Sequence, residues 1–147
     1  MSITSSGLYG LSLEKALIDT LGESWEAEDN RVLMVTDTYT PDFNAHDFYA
    51  DITNEVTGTG YTAGGELLTT TEITLSGGVL TFDAADVAWT TSTIANAMAG
   101  VLKTTVSGSA TDQLILLSDF VTAASSSGGT FTIQWSASGI ATVDYVP

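Results

Sequence analysis

The chain has 147 residues and a mass of 15.3 kDa, room for one domain of ordinary size. It contains no cysteine, which excludes disulfide staples, thiolate catalysis and cysteine-ligated zinc or iron–sulfur sites. Eighteen Asp and Glu face three Lys and Arg, a formal net charge of -15, and a field of that sign repels phosphate backbones and anionic lipid surfaces alike.

The acidity is not that of a disordered chain. Only 14% of residues are charged against a usual ~25%, 44% are hydrophobic, and the mean hydropathy is +0.23. A folded domain with a bland surface of Ser, Thr, Gly and Ala is expected to be covered by neighbours, as in a homo-oligomer or a lattice. Met1–Gly7 offers neither the basic nor the apolar region of a secretory signal. The densest apolar stretches, Arg31–Val35 and Gln113–Leu117, are strand-sized and far short of a span. A soluble protein is expected.

Two regions are expected, an arm, helix and acidic loop over residues 1–30 and a β-sandwich domain over 31–147. Ser12 suits a helix N-cap, Leu13, Ala16, Leu17 and Leu21 share one face at helical spacing, and Gly22 is a natural stop. The acidic loop Glu23–Asp29 surrounds Trp25. From Arg31 the chain turns rich in Thr and Val, with Gly and Ser clusters marking turns. Strands are predicted at Arg31–Asp37, Ile52–Thr57, Glu66–Leu75, Val79–Asp83, Asp86–Trp89, Ala97–Val106, Gln113–Phe120, Thr130–Trp135 and Ile140–Val146.

Ser76-Gly77-Gly78 has the chemistry of a tight hairpin turn, and Ser125–Gly129 is expected to separate two strands in the same way. Phe131, Ile133 and Trp135 alternate with polar residues, the pattern of a half-buried strand. Ile94, Ala97, Met98, Val101 and Leu102 also fit a helical period, but strands surround them and strand is the reading adopted. The fold class expected is all-β: an antiparallel β-sandwich, jelly-roll-like among the options, preceded by a short N-terminal helix.

Little in the sequence points to catalysis. The one histidine, His46, would have to serve a Ser-His-Asp triad with Asp42 or Asp47, and no Gly-x-Ser-x-Gly elbow accompanies it. A loop histidine hydrogen-bonded to a nearby carboxylate is the plainer reading. Asp42, Asn44, His46 and Asp47 are weak candidates for a metal site, as are Asp83 and Asp86, but neither group has calcium-loop spacing or the expected glycine. Gly58, Gly60, Gly64 and Gly65 lack the strand–helix setting and the nearby cation of a phosphate loop, and read as loop positions needing positive φ. Tyr61 among them reads as a buried plug, and Trp89 and Trp135 as core. No cofactor and no enzymatic activity are expected.

Particular words carry a resemblance. Leu33-Met34-Val35-Thr36-Asp37-Thr38-Tyr39-Thr40-Pro41-Asp42, continuing through His46–Val56 and Thr57–Gly65, resembles a group of small tailed-bacteriophage virion structural proteins. Phe82-Asp83-Ala84-Ala85-Asp86-Val87-Ala88-Trp89 is similar to a second block, and Asp119-Phe120, Ser126–Trp135 and Gly139-Ile140 to a third. The blocks follow the group's order over residues 31 to 141; Leu11–Asp29 lies outside them.

The resemblance implies a non-enzymatic virion component, made in the host cytoplasm. The acidic field favours the outer surface of the head, away from packaged DNA. The expectation is a capsid decoration (cement) protein bridging major capsid protein subunits, itself a homo-oligomer and, by analogy, a trimer. A tail, connector or fibre-adaptor component is the alternative. A carbohydrate-binding module using Tyr39, Phe43, Phe48 and Tyr49 is a third. The arm Met1–Leu11 is the expected capsid contact, through Met1, Ser2, Ile3, Thr4, Ser5, Leu8 and Tyr9, as an extended tail without local packing.

Overall fold

A computed structural model describes residues 3–18, 24–106 and 110–145. The chain is mostly β, 49% strand against 8% helix, in two antiparallel sheets with one short N-terminal helix and a sandwich-like arrangement. In chain order the elements are β1 (Gly7–Leu8), α1 (Gly10–Leu17), β2 (Arg31–Thr36), a 3-10 turn at Tyr49–Asp51, β3 (Gly58–Thr59), β4 (Glu66–Leu67), β5 (Glu72–Ser76), β6 (Val79–Asp83), β7 (Val87–Lys103), β8 (Leu114–Ile133) and β9 (Ala141–Asp144). The larger sheet runs β1-β8-β7-β2-β4, with β3 also pairing β7, and the smaller runs β5-β6-β9.

The long antiparallel ribbon of β7 and β8 dominates the fold. The strands expected at Asp86–Trp89 and Ala97–Val106 are one strand of 17 residues, and those at Gln113–Phe120 and Thr130–Trp135 belong to one of 20. Ser125–Gly129 therefore lies inside a strand, a correction to the expected turn. The ambiguous Ile94–Leu102 is strand throughout.

The ribbon doubles back on itself. Gly100 pairs with Ser118 and Val87 with Ile133, so on a straight ribbon Ile133 would lie about 40 Å from Gly100. Instead a Cβ placed on Gly100 would stand 3.4 Å from Ile133 Cδ1 and 3.3 Å from Val32 Cγ2. The fold-over is made by four register shifts between Trp89 and Ala99, placing extra residues first on β7, then β8, then β7, then β8. A residue of positive φ sits at each: Thr91 (52°), Gly128 (65°), Asn96 (56°) and Val121 (66°). The two halves of the ribbon, both in the larger sheet, thus lie against each other.

β2 shows why the large sheet is buried on both faces. Val32 and Met34 enter a core with Trp89, Ile94, Phe131 and Ile133 from the folded-over half. Leu33 and Val35, pointing the other way, enter a second core with Ile3, Tyr9, Tyr39, Met98 and Val101. The second core corrects the expectation of an unpacked arm. Ile3 and Tyr9 are fully buried, and β1 pairs with β8 at Gly7↔Leu117 and Leu8↔Leu116. Of the expected contact residues Thr4 and Ser5 are exposed and Leu8 is half-buried; Met1 and Ser2 lie outside the described residues. Trp25 packs on Phe82 and Glu26 Oε1 accepts from Ile73 N at 2.8 Å, so these two loop residues rest on the smaller sheet.

The helix differs from expectation in start and face. Tyr9 stands at its N-cap, anchored by its N–H to Ile115 O at 3.0 Å, and Ser12 is buried inside the first turn. Leu17 and Ile18 are exposed by 79% and 61%, because Ser12 and Lys15, not the leucine face, turn toward the domain. Leu21 and Gly22 lie outside the described residues.

Two other expected strands are interrupted. Thr70 at φ 54° divides Glu66–Leu75 and passes the chain from one sheet to the other. Asn54 at φ 59° leaves only an isolated bridge, Val35↔Glu55, in Ile52–Thr57. The hairpin turn at Gly77-Gly78 is as expected, with φ of 58° and 87° joining β5 to β6. The last strand is shorter than expected, Ala141–Asp144, and Val146 lies outside the described residues.

Two stability outcomes follow. Deleting residues 1–10 removes Ile3 and Tyr9 from the second core and is expected to cost more than about 3 kcal/mol in urea unfolding; an unchanged midpoint would show that the arm is dispensable. Gly65 has φ 78°, and a Cβ there would meet Val32 O at 2.0 Å. Gly65→Ala should therefore cost about 3 kcal/mol, and a loss within experimental error would contradict this backbone contact.

Candidate functional site

The loop that carries the histidine is held by its own hydrogen bonds. Asp42 Oδ1 accepts from the N–H groups of Asn44 (3.0 Å) and Ala45 (3.1 Å), forming an Asx-type turn. His46 Nδ1 lies 2.8 Å from Tyr39 Oη, so its partner is a phenol and not the expected carboxylate. Asp47 Oδ2 pairs with Lys15 Nζ, which also stands 4.4 Å over the Phe48 ring. Asp83 Oδ1 accepts from Ala84 N, and Asp86 Oδ1 from Trp135 N. The weak metal candidates Asp42, Asn44, His46 and Asp47 are therefore not converged as ligands; among the described residues no three His, Asp or Glu are placed to hold a metal.

A run of tyrosines lies behind that loop. Tyr9 Oη and Tyr39 Oη are 3.0 Å apart, extending the contact with His46 into the second core. Tyr49 and Tyr61 each donate to Glu55, to Oε2 and Oε1 at 2.6 Å, and Gly64 N–H donates to Oε1 at 2.7 Å. Tyr61 Oη also accepts from Met34 N at 3.1 Å, and its ring stacks on Trp89 at 6.0 Å. Tyr61 packs half-buried against the first core and is not the buried plug expected, and Gly60, Gly64 and Gly65 have positive φ. Burial pushes all four phenols upward, Tyr39 to about 12. The Glu55 carboxylate adds to the rise at Tyr49 and Tyr61. Asp51 moves down, chiefly because its carboxylate accepts from the N–H groups of Phe48 and Asp47.

The aromatic set expected to contact sugar is turned inward. Tyr39 is fully buried, while Phe43, Phe48 and Tyr49 are half-buried. Phe43 meets the Tyr9 ring at 5.2 Å, and Tyr49 lies under Lys103 Nζ at 5.0 Å. They hold the loop to the sheet and do not form an exposed platform.

All three cations of the chain are engaged within it. Lys103 is 3% exposed and pairs with Asp112 Oδ2 at 2.6 Å, while Asp112 Oδ1 accepts from Val106 N. Arg31 Nη1 donates to Gly65 O at 2.8 Å, and Lys15 is paired with Asp47. With eighteen Asp and Glu against three Lys and Arg, most of the acidic charge is not neutralised by the chain's own cations.

The surface feature best suited to a partner is an apolar row on the smaller sheet. Cross-strand pairing aligns Ile73–Phe82–Ala141 and, one step outward on the same face, Leu75–Leu80–Val143. Phe82 is 1% exposed over the core, but Leu75 is exposed by 66%, Val143 by 44% and the following Tyr145 by 55%. The face that seals the first core continues past its edge uncovered. Sequence reading placed these strands but could not show that their turn end overhangs. A scan against protein-family models and comparisons with curated proteins and solved structures find no match to this chain.

The raised tyrosines set an alkaline limit. The folded state keeps protons that the unfolded chain loses above 10.0, so stability is intact below that pH and falls as pH rises beyond it. Tyrosinate absorbance should show four phenols ionising together with loss of the fold, and Tyr61→Phe should make the alkaline slope shallower. Reversible ionisation of these phenols in a folded chain would contradict the assigned burial.

Proposed function

We propose that this chain is a non-enzymatic structural component of a tailed-phage particle, acting as a decoration protein that bridges major capsid protein subunits on the outer face of the head. The observation that carries the reading is the apolar row Leu75–Leu80–Val143 with Tyr145, an overhang of the smaller sheet built to be covered. Burying such a row contributes about 25 cal/mol per Å², a modest gain per copy that many copies on one lattice multiply.

The charge supports the outer position. A formal charge of -15, with the three Lys and Arg consumed internally, would repel packaged DNA from an inner site. The expected resemblance of residues 31 to 141 to small virion proteins supports a particle component of head or tail; the outer position rests on the charge. Self-association, as a trimer by analogy, places several rows around one symmetry axis, so that a single attachment is multivalent.

The test is the copy number of this chain relative to the major capsid protein in purified particles, measured by quantitative mass spectrometry. A simple fixed proportion is expected. A handful of copies per particle would transfer the protein to the tail or connector, and absence from particles would overturn the structural reading. Leu75→Asp should reduce the copies retained on the head while leaving the fold of the free protein unchanged, since Leu75 is largely exposed.

A further inference from the structure

Where β7 ends and β8 is about to begin, an amine is buried against a carboxylate. Lys103 is 3% and Asp112 5% exposed, and Lys103 Nζ lies 2.6 Å from Asp112 Oδ2. Each partner is fixed from several sides. Asp112 Oδ1 accepts from Val106 N at 3.0 Å, and the Asp112 backbone carbonyl accepts from Tyr49 N at 2.8 Å. Lys103 stands in register with Arg31 of β2 and Leu114 of β8, and its Nζ sits 5.0 Å from the centre of the Tyr49 ring. The residues that follow the two partners bond each other twice: Thr104 N donates to Gln113 O at 2.9 Å, and Gln113 N donates to Thr104 Oγ1 at 2.8 Å. Neither partner can slide past the other.

In open water an amine and a carboxylic acid stay apart, because hydration favours the ammonium and carboxylate ions over the amide. A dry site withdraws that hydration and raises the ionised pair relative to its neutral condensation product. Holding the two groups in contact also turns an encounter between molecules into a step within one, with effective molarities of about 10⁵–10⁸ M for well-oriented groups. The third requirement is a donor for the oxygen that becomes negative when the amine adds to the carboxyl carbon. Val106 N–H already points at that oxygen, Oδ1.

The other lysine pair of the chain provides the contrast. Lys15 and Asp47 are also in contact, but their side chains are 25% and 14% exposed, so water still reaches them. Asp47 Oδ1 has no hydrogen-bond donor, whereas Asp112 Oδ1 has one. Burial, fixed contact and a donor on the second oxygen therefore coincide at Lys103 and Asp112 and not at Lys15 and Asp47.

We propose that Lys103 and Asp112 condense in the folded chain to an isopeptide bond that ties β7 to the start of β8. The ammonium passes one proton to Oδ2, and the freed amine lone pair adds to Cγ, forming the N–C bond and leaving negative charge on Oδ1 beside Val106 N–H. A second proton then moves from nitrogen to the hydroxyl at Oδ2, the carbonyl re-forms at Oδ1, the Cγ–Oδ2 bond breaks, and one water leaves. No oxidant, reductant or other reactant is consumed. One cation and one anion disappear together, so the net charge of -15 is unchanged. The bond closes the open end of the ribbon covalently, so the two strands cannot part there when the domain opens. This inference goes beyond the particle reading and does not depend on it.

The experiment is intact-mass spectrometry of the purified full chain after folding, followed by protease digestion and fragmentation. The main species is expected to be lighter than its sequence by one water, and the digest to contain a branched peptide joining Lys103 to Asp112. Lys103→Arg keeps a cation beside Asp112 but offers no amine to acylate, and it should fold, as circular dichroism would show, and keep the full sequence mass. A folded wild-type chain of full mass would overturn the proposal. So would a lost water that persists in Lys103→Arg, or one that fragmentation maps to an unbranched peptide, as a cyclised aspartate would give. If Lys103→Arg fails to fold, the wild-type mass and the branched peptide still decide the question.

Discussion

The fold-over of one antiparallel ribbon is the constraint on which the rest of the molecule depends. A ribbon as long as β7–β8 cannot remain straight within a domain of this size, and left flat it would expose both apolar faces. Bulges alternate between its strands, each with a residue in the left-handed region, and turn one half over the other. Trp89, Phe131 and Ile133 then land on Val32, Met34 and Leu102, and the first core is closed by the ribbon itself. A cleft lined by Phe120 and Trp135 is the geometric consequence of the same turn.

Doubling the ribbon buries one face of the large sheet and leaves the other to be covered. That cover comes from the chain's beginning and from the Tyr39–Ile52 loop. Ile3 and Tyr9 fill the second core, and the Tyr9–Tyr39–His46 contacts bind the two segments to each other. Ile3 and Tyr9 are thus committed to the interior, while the apolar side chains left exposed lie on the overhang of the smaller sheet and at the end of α1. The exposed side of α1 and the overhang both present apolar side chains, Leu17 and Ile18 on one and Leu75 and Val143 on the other.

Electrostatics divides the molecule in a similar way. Lys103 and Asp112 are buried together at the β7–β8 turn, where removing either partner would strand the other's charge at a cost of about 3–5 kcal/mol. Lys15 pins the loop at Asp47, and Arg31 serves Gly65 O. Every cation is used to hold the fold, and the charge that faces outward is predominantly acidic.

By itself, the sequence determined the all-β class, the short helix, the Gly77-Gly78 hairpin, the acidic field and the burial of Trp89, because alternation, turn chemistry and net charge are local or additive properties. It also marked Gly60, Gly64 and Gly65 as positive-φ positions. Only the tertiary structure decided that four predicted strands are two, that Ser125–Gly129 continues a strand, and that the arm is core. Those outcomes depend on cross-strand register: Thr91 and Val121 do not resemble turn residues, and Asn96, though suited to the left-handed region, stands among apolar strand residues, yet pairing in the folded ribbon puts each there. The helix face was misread for a related reason. Its leucines follow a helical period, but Lys15–Asp47 and the burial of Ser12 orient the helix the other way, and no periodicity within the helix encodes a contact with Asp47. The cleft lined by Phe120 and Trp135 was beyond local reading altogether, since those two residues meet one cavity only when a strand of 20 residues turns back toward its own beginning.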